Sequence, residues 1–146
     1  RMHHCMRLIG AGQRCLELAC QRVEDRETFG KKLSQHQSIR ENIAKSYAEL
    51  EMARLLVHKT CWHIDHHGVK PSIELISATK ISVPLMIQAI IDRCMQMHGA
   101  GGLTEDWCMA EQFNYARWCR QADGPDEVHQ MALGKRIIQQ YAEASA

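Results

Sequence analysis

A chain of 146 residues fits one domain, long enough to bury about 70% of the surface its unfolded form exposes. It is 45% hydrophobic and 24% charged with a net charge of +1, which argues against disorder and leaves no basic face for DNA, RNA or an anionic membrane. No uninterrupted apolar stretch approaches the roughly 20 residues that cross a bilayer, and no signal peptide opens the chain.

The helical pattern is already running at Arg1-Met2-His3-His4, with no N-cap before it, which reads as a segment of something longer. Apolar or small residues at Met2, Cys5, Ile9, Gly12, Leu16, Ala19 and Val23 then mark one face of an amphipathic first helix. Asp25 to Gly30 breaks that pattern. A second helix is expected from Ser34 as N-cap, with Ile43, Leu50, Val57 and Ile64 recurring every seven residues, and with Gly68 as its stop. Pro71-Ser72 opens a third helix, apolar at Ile73, Ile76, Val83, Ile87, Ile90 and Cys94, in which Pro84 is expected to make a kink. After Gly99-Ala100-Gly101-Gly102, a shorter helix is expected over Glu105 to about Cys119 and a last one from Pro125 to about Ala142. The fold class that follows is all-α: an antiparallel up-and-down four-helix bundle with an additional short helix.

Several clusters invite chemistry, and each has a plainer reading beside it. No Glu-x-x-His pair for a di-iron site occurs. His63 and His67 share a helix face at a spacing zinc accepts, yet no third ligand stands in place, and a solvated histidine-rich helix end accounts for them, so no metal is assigned. Arg26 to Gly30 reads as a helix end, and Gln96 to Gly102 as either a connector or a close backbone approach to a ligand. Asp123, Asp126 and Glu127 crowd a helix start, where capping and the helix dipole suffice. Seven scattered cysteines without a C-x-x-C pair point to reduced thiols in an intracellular reducing compartment.

In order and spacing, Arg26-x-Thr28-Phe29-Gly30, His36-Gln37, Gln96-x-His98-Gly99-Ala100-x-Gly102 and Asp123-Gly124 resemble the acyl-CoA dehydrogenase family over essentially all 146 residues. The run from Ala122 to His129, with His3-His4-Cys5-Met6-Arg7, is similar to the branch holding animal family members ten and eleven. The resemblance implies the C-terminal helical domain of an FAD enzyme whose N-terminal helical and β domains lie outside residues 1–146, and oxidation of an acyl-CoA to its 2,3-enoyl-CoA. It further implies a homodimer or homotetramer, and electron-transferring flavoprotein as acceptor. The compartment would be mitochondrial or peroxisomal in a eukaryote, cytoplasmic in a bacterium. Acyl-CoA oxidase and a non-catalytic helical interaction domain are the alternatives.

Residue by residue, Asp123 takes the position of the catalytic carboxylate, with Gly124 beside it and Arg1 near the substrate thioester. Arg26 resembles the arginine that reaches the FAD pyrophosphate of a neighbouring subunit. Gln37 resembles a contact near the adenine half of that FAD, and Gln96, Met97, His98, Gly99 and Ala100 resemble a backbone segment closing over it. Phe29, Pro125 and Glu127 complete the implied cofactor set. This chain departs from the family at several of these places: Asp123 replaces a longer Glu, Pro125 a Thr, and Ala100 a second Gly. Ala122 stands where some relatives carry an aromatic, which implies a wider acyl pocket.

Overall fold

The computed structural model describes residues 1–145. Helix α1 (Met2–Asp25) buries Cys5, Leu8, Ile9, Gly12, Cys15, Leu16, Ala19 and Val23, the face set by the three-and-four spacing. It runs into a small antiparallel hairpin, β1 (Glu27–Thr28) and β2 (Lys31–Lys32). Phe29 at φ 52° and Gly30 at φ 76° form the two-residue loop, both left-handed as a type I′ turn requires. Two-residue strands are too short to alternate visibly, so the sequence shows only a break here.

After a 3-10 turn over Leu33–Gln35, helix α2 covers Gln37–His67. Ser34 is therefore not its cap: it lies inside the turn, its carbonyl accepts the Arg40 Nε–H at 2.7 Å, and His36 takes the cap position. Leu50 and Val57 of the sevenfold repeat are buried, whereas Ile43 and Ile64 toward its ends are half-buried.

Helix α3 (Ile73–His98) is the centre of the molecule and packs against every other helix. It continues through Pro84 without interruption. Contrary to expectation, Ile73–Leu103 is long and apolar enough to cross a membrane by length and composition. Here that apolarity serves the bundle centre, where Val83, Ile87, Ile90, Ile91 and Cys94 are fully covered.

The glycine-rich segment Gly99–Leu103 folds as 3-10 turns, and helix α4 (Met109–Cys119) starts later than the sequence suggested. Thr104 and Asp106 spend their side chains on local turn hydrogen bonds instead. Helix α5 (Asp126–Ala144) closes the order.

Long-range contacts fix the directions. Thr60 meets Thr79 at 2.7 Å and Ser46 meets Arg93 at 2.9 Å, so α2 runs opposite to α3. Cys5 lies against Thr79, which sets α1 parallel to α3, and Lys80 reaches Cys119, which brings α4 back down. The short helix α4 is thus the fourth member of the up-and-down bundle. The outlier is α5: Asp126 and His129 are buried, but residues 134–145 are exposed.

Candidate active site

The α4–α5 turn is held from below by one side chain. Lys80, with no exposed surface, donates to the carbonyl of Cys119 at 2.5 Å and to that of Gly124 at 3.4 Å. An ammonium in an apolar helix needs such acceptors, because burying it unpaired would cost several kcal/mol, on the order of the effective penalty for an ion. Arg120 Nε donates to Asp126 Oδ2 at 2.7 Å, and the Asp126 amide returns a bond to the Arg120 carbonyl. His129 lies between Ser77 Oγ at 3.4 Å and the Asp123 carbonyl at 3.3 Å.

Inside this frame Asp123 takes φ 58° and Gly124 φ 106°. Aspartate tolerates the left-handed region better than most residues. Gly124 has a double reason to be glycine, since a Cβ there would also stand 3.0 Å from His129 Nε2.

The result is a carboxylate carried outward on a rigid turn. The Asp123 side chain is 45% exposed, neither in open solvent nor in the core. The start of α1 faces it. Arg1 Nε donates to the Asp123 carbonyl at 3.2 Å, and His4 Nε2 lies 3.3 Å from Asp123 Oδ2. His4 is itself packed, its Nδ1 3.3 Å from the Tyr115 hydroxyl and its ring edge-on to Trp118 at 5.5 Å. Arg1 thus meets Asp123 across space, and Gly124, Pro125 and Glu127 follow it along the chain.

Of the remaining predicted cofactor residues, Arg26 and Gln96 to Ala100 collect elsewhere. At the far end of the bundle a polar groove of about 420 Å³ is lined by Arg22, Arg26, Thr28 and the segment Gln96–Gly101. Neither Arg22 nor Arg26 makes an ion pair among the described residues. His98 is buried there with Nδ1 2.9 Å from the Cys94 carbonyl, while its Nε2 has no partner among the described residues. Burial holds the His98 imidazole below its ordinary range, so the ring is kept neutral. Two free guanidiniums and a glycine-rich backbone suit an anionic diphosphate, so the groove fits the FAD that the resemblance implies. Phe29 stands almost wholly exposed at the hairpin tip. Gln37 does not line the groove; it opens α2 and donates to Glu41 at 2.7 Å.

Asp123 and Arg26 lie at opposite ends of α1, whose 24 residues span about 36 Å. The two groups of predicted residues therefore lie far apart on one chain. Histidine packing at the end of α2 is local: His63 Nδ1 meets Ser72 Oγ at 2.8 Å. Among the described residues no group of three or more His, Cys, Asp or Glu is arranged to hold a metal ion.

Sequence reading missed His4, Tyr115, Lys80 and His129. Lys80 did leave a signal, a charged residue on the same stripe as Ile76, Val83 and Ile87. His4 left only its place one helical turn beyond Arg1.

Comparison with known proteins gives one consistent answer. The family described as acyl-CoA dehydrogenase, C-terminal domain, matches residues 1–138. Acyl-CoA dehydrogenase family member 10 of Mus musculus is 47% identical over 135 residues, 92% of this chain and 13% of that protein. Family member 11 of Gallus gallus is 43% identical over 135 residues, again 92% of this chain and 17% of that protein. Among solved structures, a Mycobacterium abscessus chain assigned to the acyl-CoA dehydrogenases superposes with a TM-score of 0.93 at 40% identity, covering 95% of this chain and 34% of its own. The FAD complex of PigA shares the fold alone, with a TM-score of 0.82 at 19% identity over 89% of this chain and 33% of its own. The chain spans a third or less of the length of these curated relatives. By sequence and by fold, it belongs to the acyl-CoA dehydrogenase family, within that family's C-terminal domain.

Proposed function

We propose that this chain works within a longer FAD-dependent enzyme that oxidises an acyl-CoA thioester to the 2,3-enoyl-CoA, with Asp123 as the base. The observation that carries this reading is the Asp123 carboxylate itself, held half-exposed on a turn that Lys80 and His129 fix from two sides. Rigid mounting with an open face is what a base needs to meet the α-proton of a bound thioester. Closure by the rest of the enzyme and the acyl chain would exclude water and strengthen the base.

Asp123 takes the α-proton, and its one-methylene shortness places the substrate α-carbon close to the α4–α5 turn. Arg1 keeps the base oriented through the backbone carbonyl and lies ready beside the thioester. FAD, when bound, supplies hydride acceptance at the β-carbon. In a homodimer or homotetramer, Arg22, Arg26 and the backbone around Gly99 hold the diphosphate of a neighbouring subunit's FAD. Electrons then leave to an electron-transferring flavoprotein.

The test is Asp123→Asn in the full-length enzyme. Turnover falls by about 10²–10⁴-fold, the typical contribution of a general base, while flavin absorbance and content hold. Turnover near the parent rate would put the base elsewhere.

A further inference from the structure

We propose that His4 is a positioning residue for the Asp123 carboxylate, the group that decides which way this acid points. The inference rests on Asp123 being the base. The aspartate is 45% exposed and its own turn restrains only its backbone. Arg1 Nε is spent on the Asp123 backbone carbonyl. Among the described residues, the side chain that reaches a carboxylate oxygen is His4, with Nε2 at 3.3 Å from Oδ2.

The imidazole is built in rather than adrift. It is three-quarters covered, edge-on to Trp118 at 5.5 Å, and its other nitrogen sits 3.3 Å from the Tyr115 hydroxyl. Tyr115 in turn stacks on Trp118 at 5.8 Å and lies beside Arg7. Burial pushes the Tyr115 hydroxyl up, so the phenol stays protonated. A carboxylate can only accept, so the hydrogen shared by His4 and Asp123 belongs to His4, and the Tyr115 hydroxyl stands at the other ring nitrogen. That leaves the ring proton on Nε2, aimed at Asp123. Tyr115, His4 and Asp123 thus line up from α4 through α1 to the turn. Such an orienting partner matters more for aspartate than for glutamate. The shorter arm has less reach to make up an error, and about 1 Å of misplacement costs on the order of 10²-fold in rate.

The test uses the full-length flavin-loaded enzyme and three variants, His4→Ala, His4→Gln and Asp123→Asn. Turnover is followed together with exchange of α-protons into D2O by NMR, on an acyl-CoA that has no hydrogen on its β-carbon and so cannot be oxidised. His4→Ala is expected to slow both kcat and exchange by about 10–100-fold with little change in KM. His4→Gln, whose amide can donate from a similar place, is expected to recover most of both. His4→Ala at the parent exchange rate, with Asp123→Asn inactive, overturns the role of His4 while leaving the base intact. His4→Gln as slow as His4→Ala, with flavin content unchanged, overturns it as well. Exchange at the parent rate in Asp123→Asn would instead remove the base assignment underneath.

Discussion

Lys80 shows how one buried charge can organise a functional turn. Its ammonium stitches the carbonyls of Cys119 and Gly124, on either side of Asp123, to the central helix. Lys80→Met keeps the volume and removes the donor, leaving two carbonyls short of a partner. Chemical denaturation should show a loss of about 1–3 kcal/mol, the cost of orphaning buried polar groups. The cysteines make a second case. Burial pushes the Cys5 and Cys94 thiols up to about 12, so both stay protonated in the folded chain. Once unfolded they would ionise near 8.5. Folding therefore retains protons that unfolding releases, and this contribution to stability is complete below about pH 8.5 and is lost as pH rises toward 12. The melting temperature of the Cys5→Ala, Cys94→Ala double variant should accordingly fall less steeply between pH 8 and 11 than that of the parent, when both are followed by circular dichroism.

Among the elements, the β1–β2 hairpin carries the clearest mismatch between residue and environment. Phe29 is 97% exposed and left-handed, costly for an aromatic on both counts. Phe29→Gly should leave the melting temperature of the isolated bundle unchanged or slightly raised. In the full-length enzyme it should weaken FAD retention, measured as flavin lost on gel filtration. The connector after α3 behaves oppositely: a Cβ on Gly102 would stand 2.7 Å from the Met95 carbonyl, a backbone atom that cannot swing aside. Gly102→Ala should cost about 1–3 kcal/mol in denaturant unfolding, as overpacking does. These two segments also show where the sequence could be read and where it could not. The apolar stripes of α1 and α3 were plain because burial repeats every three or four residues over six or more turns. Ser34 misled because a good capping residue was needed for a reversing turn instead. Helix α5 was expected close to where it lies, and its Met131, Ile138 and Tyr141 stay exposed on this chain. Asp123 could be placed through its motif, whereas the His4–Tyr115 contact bridges 111 residues and no local pattern records it.

On the scale of the whole molecule, the separation of Asp123 from the Arg26 groove by the length of α1 has a direct test. If each catalytic centre draws its base from one subunit and part of its cofactor grip from another, defects at opposite ends should complement. Full-length Arg26→Ala and Asp123→Asn chains, each nearly inactive alone, should regain about one quarter of parental turnover when mixed at random as dimers. Half of such dimers are mixed, and each mixed dimer keeps one intact centre of two. Co-expression with differential tags would isolate the mixed dimers, which should show about one half of parental turnover in the same assay. Unrestored activity would mean that both ends serve the same centre. The central place of α3 has another consequence, for the order in which the fold can be made. Leu8, Leu16, Leu50 and Val57 share one buried cluster with Val83, Ile87 and Ile91, so their cover is complete only after α3 has left the ribosome. Until then α1 and α2 form a nascent hairpin with a greasy open seam, and chaperone dependence should be greatest for chains stalled before Ile73.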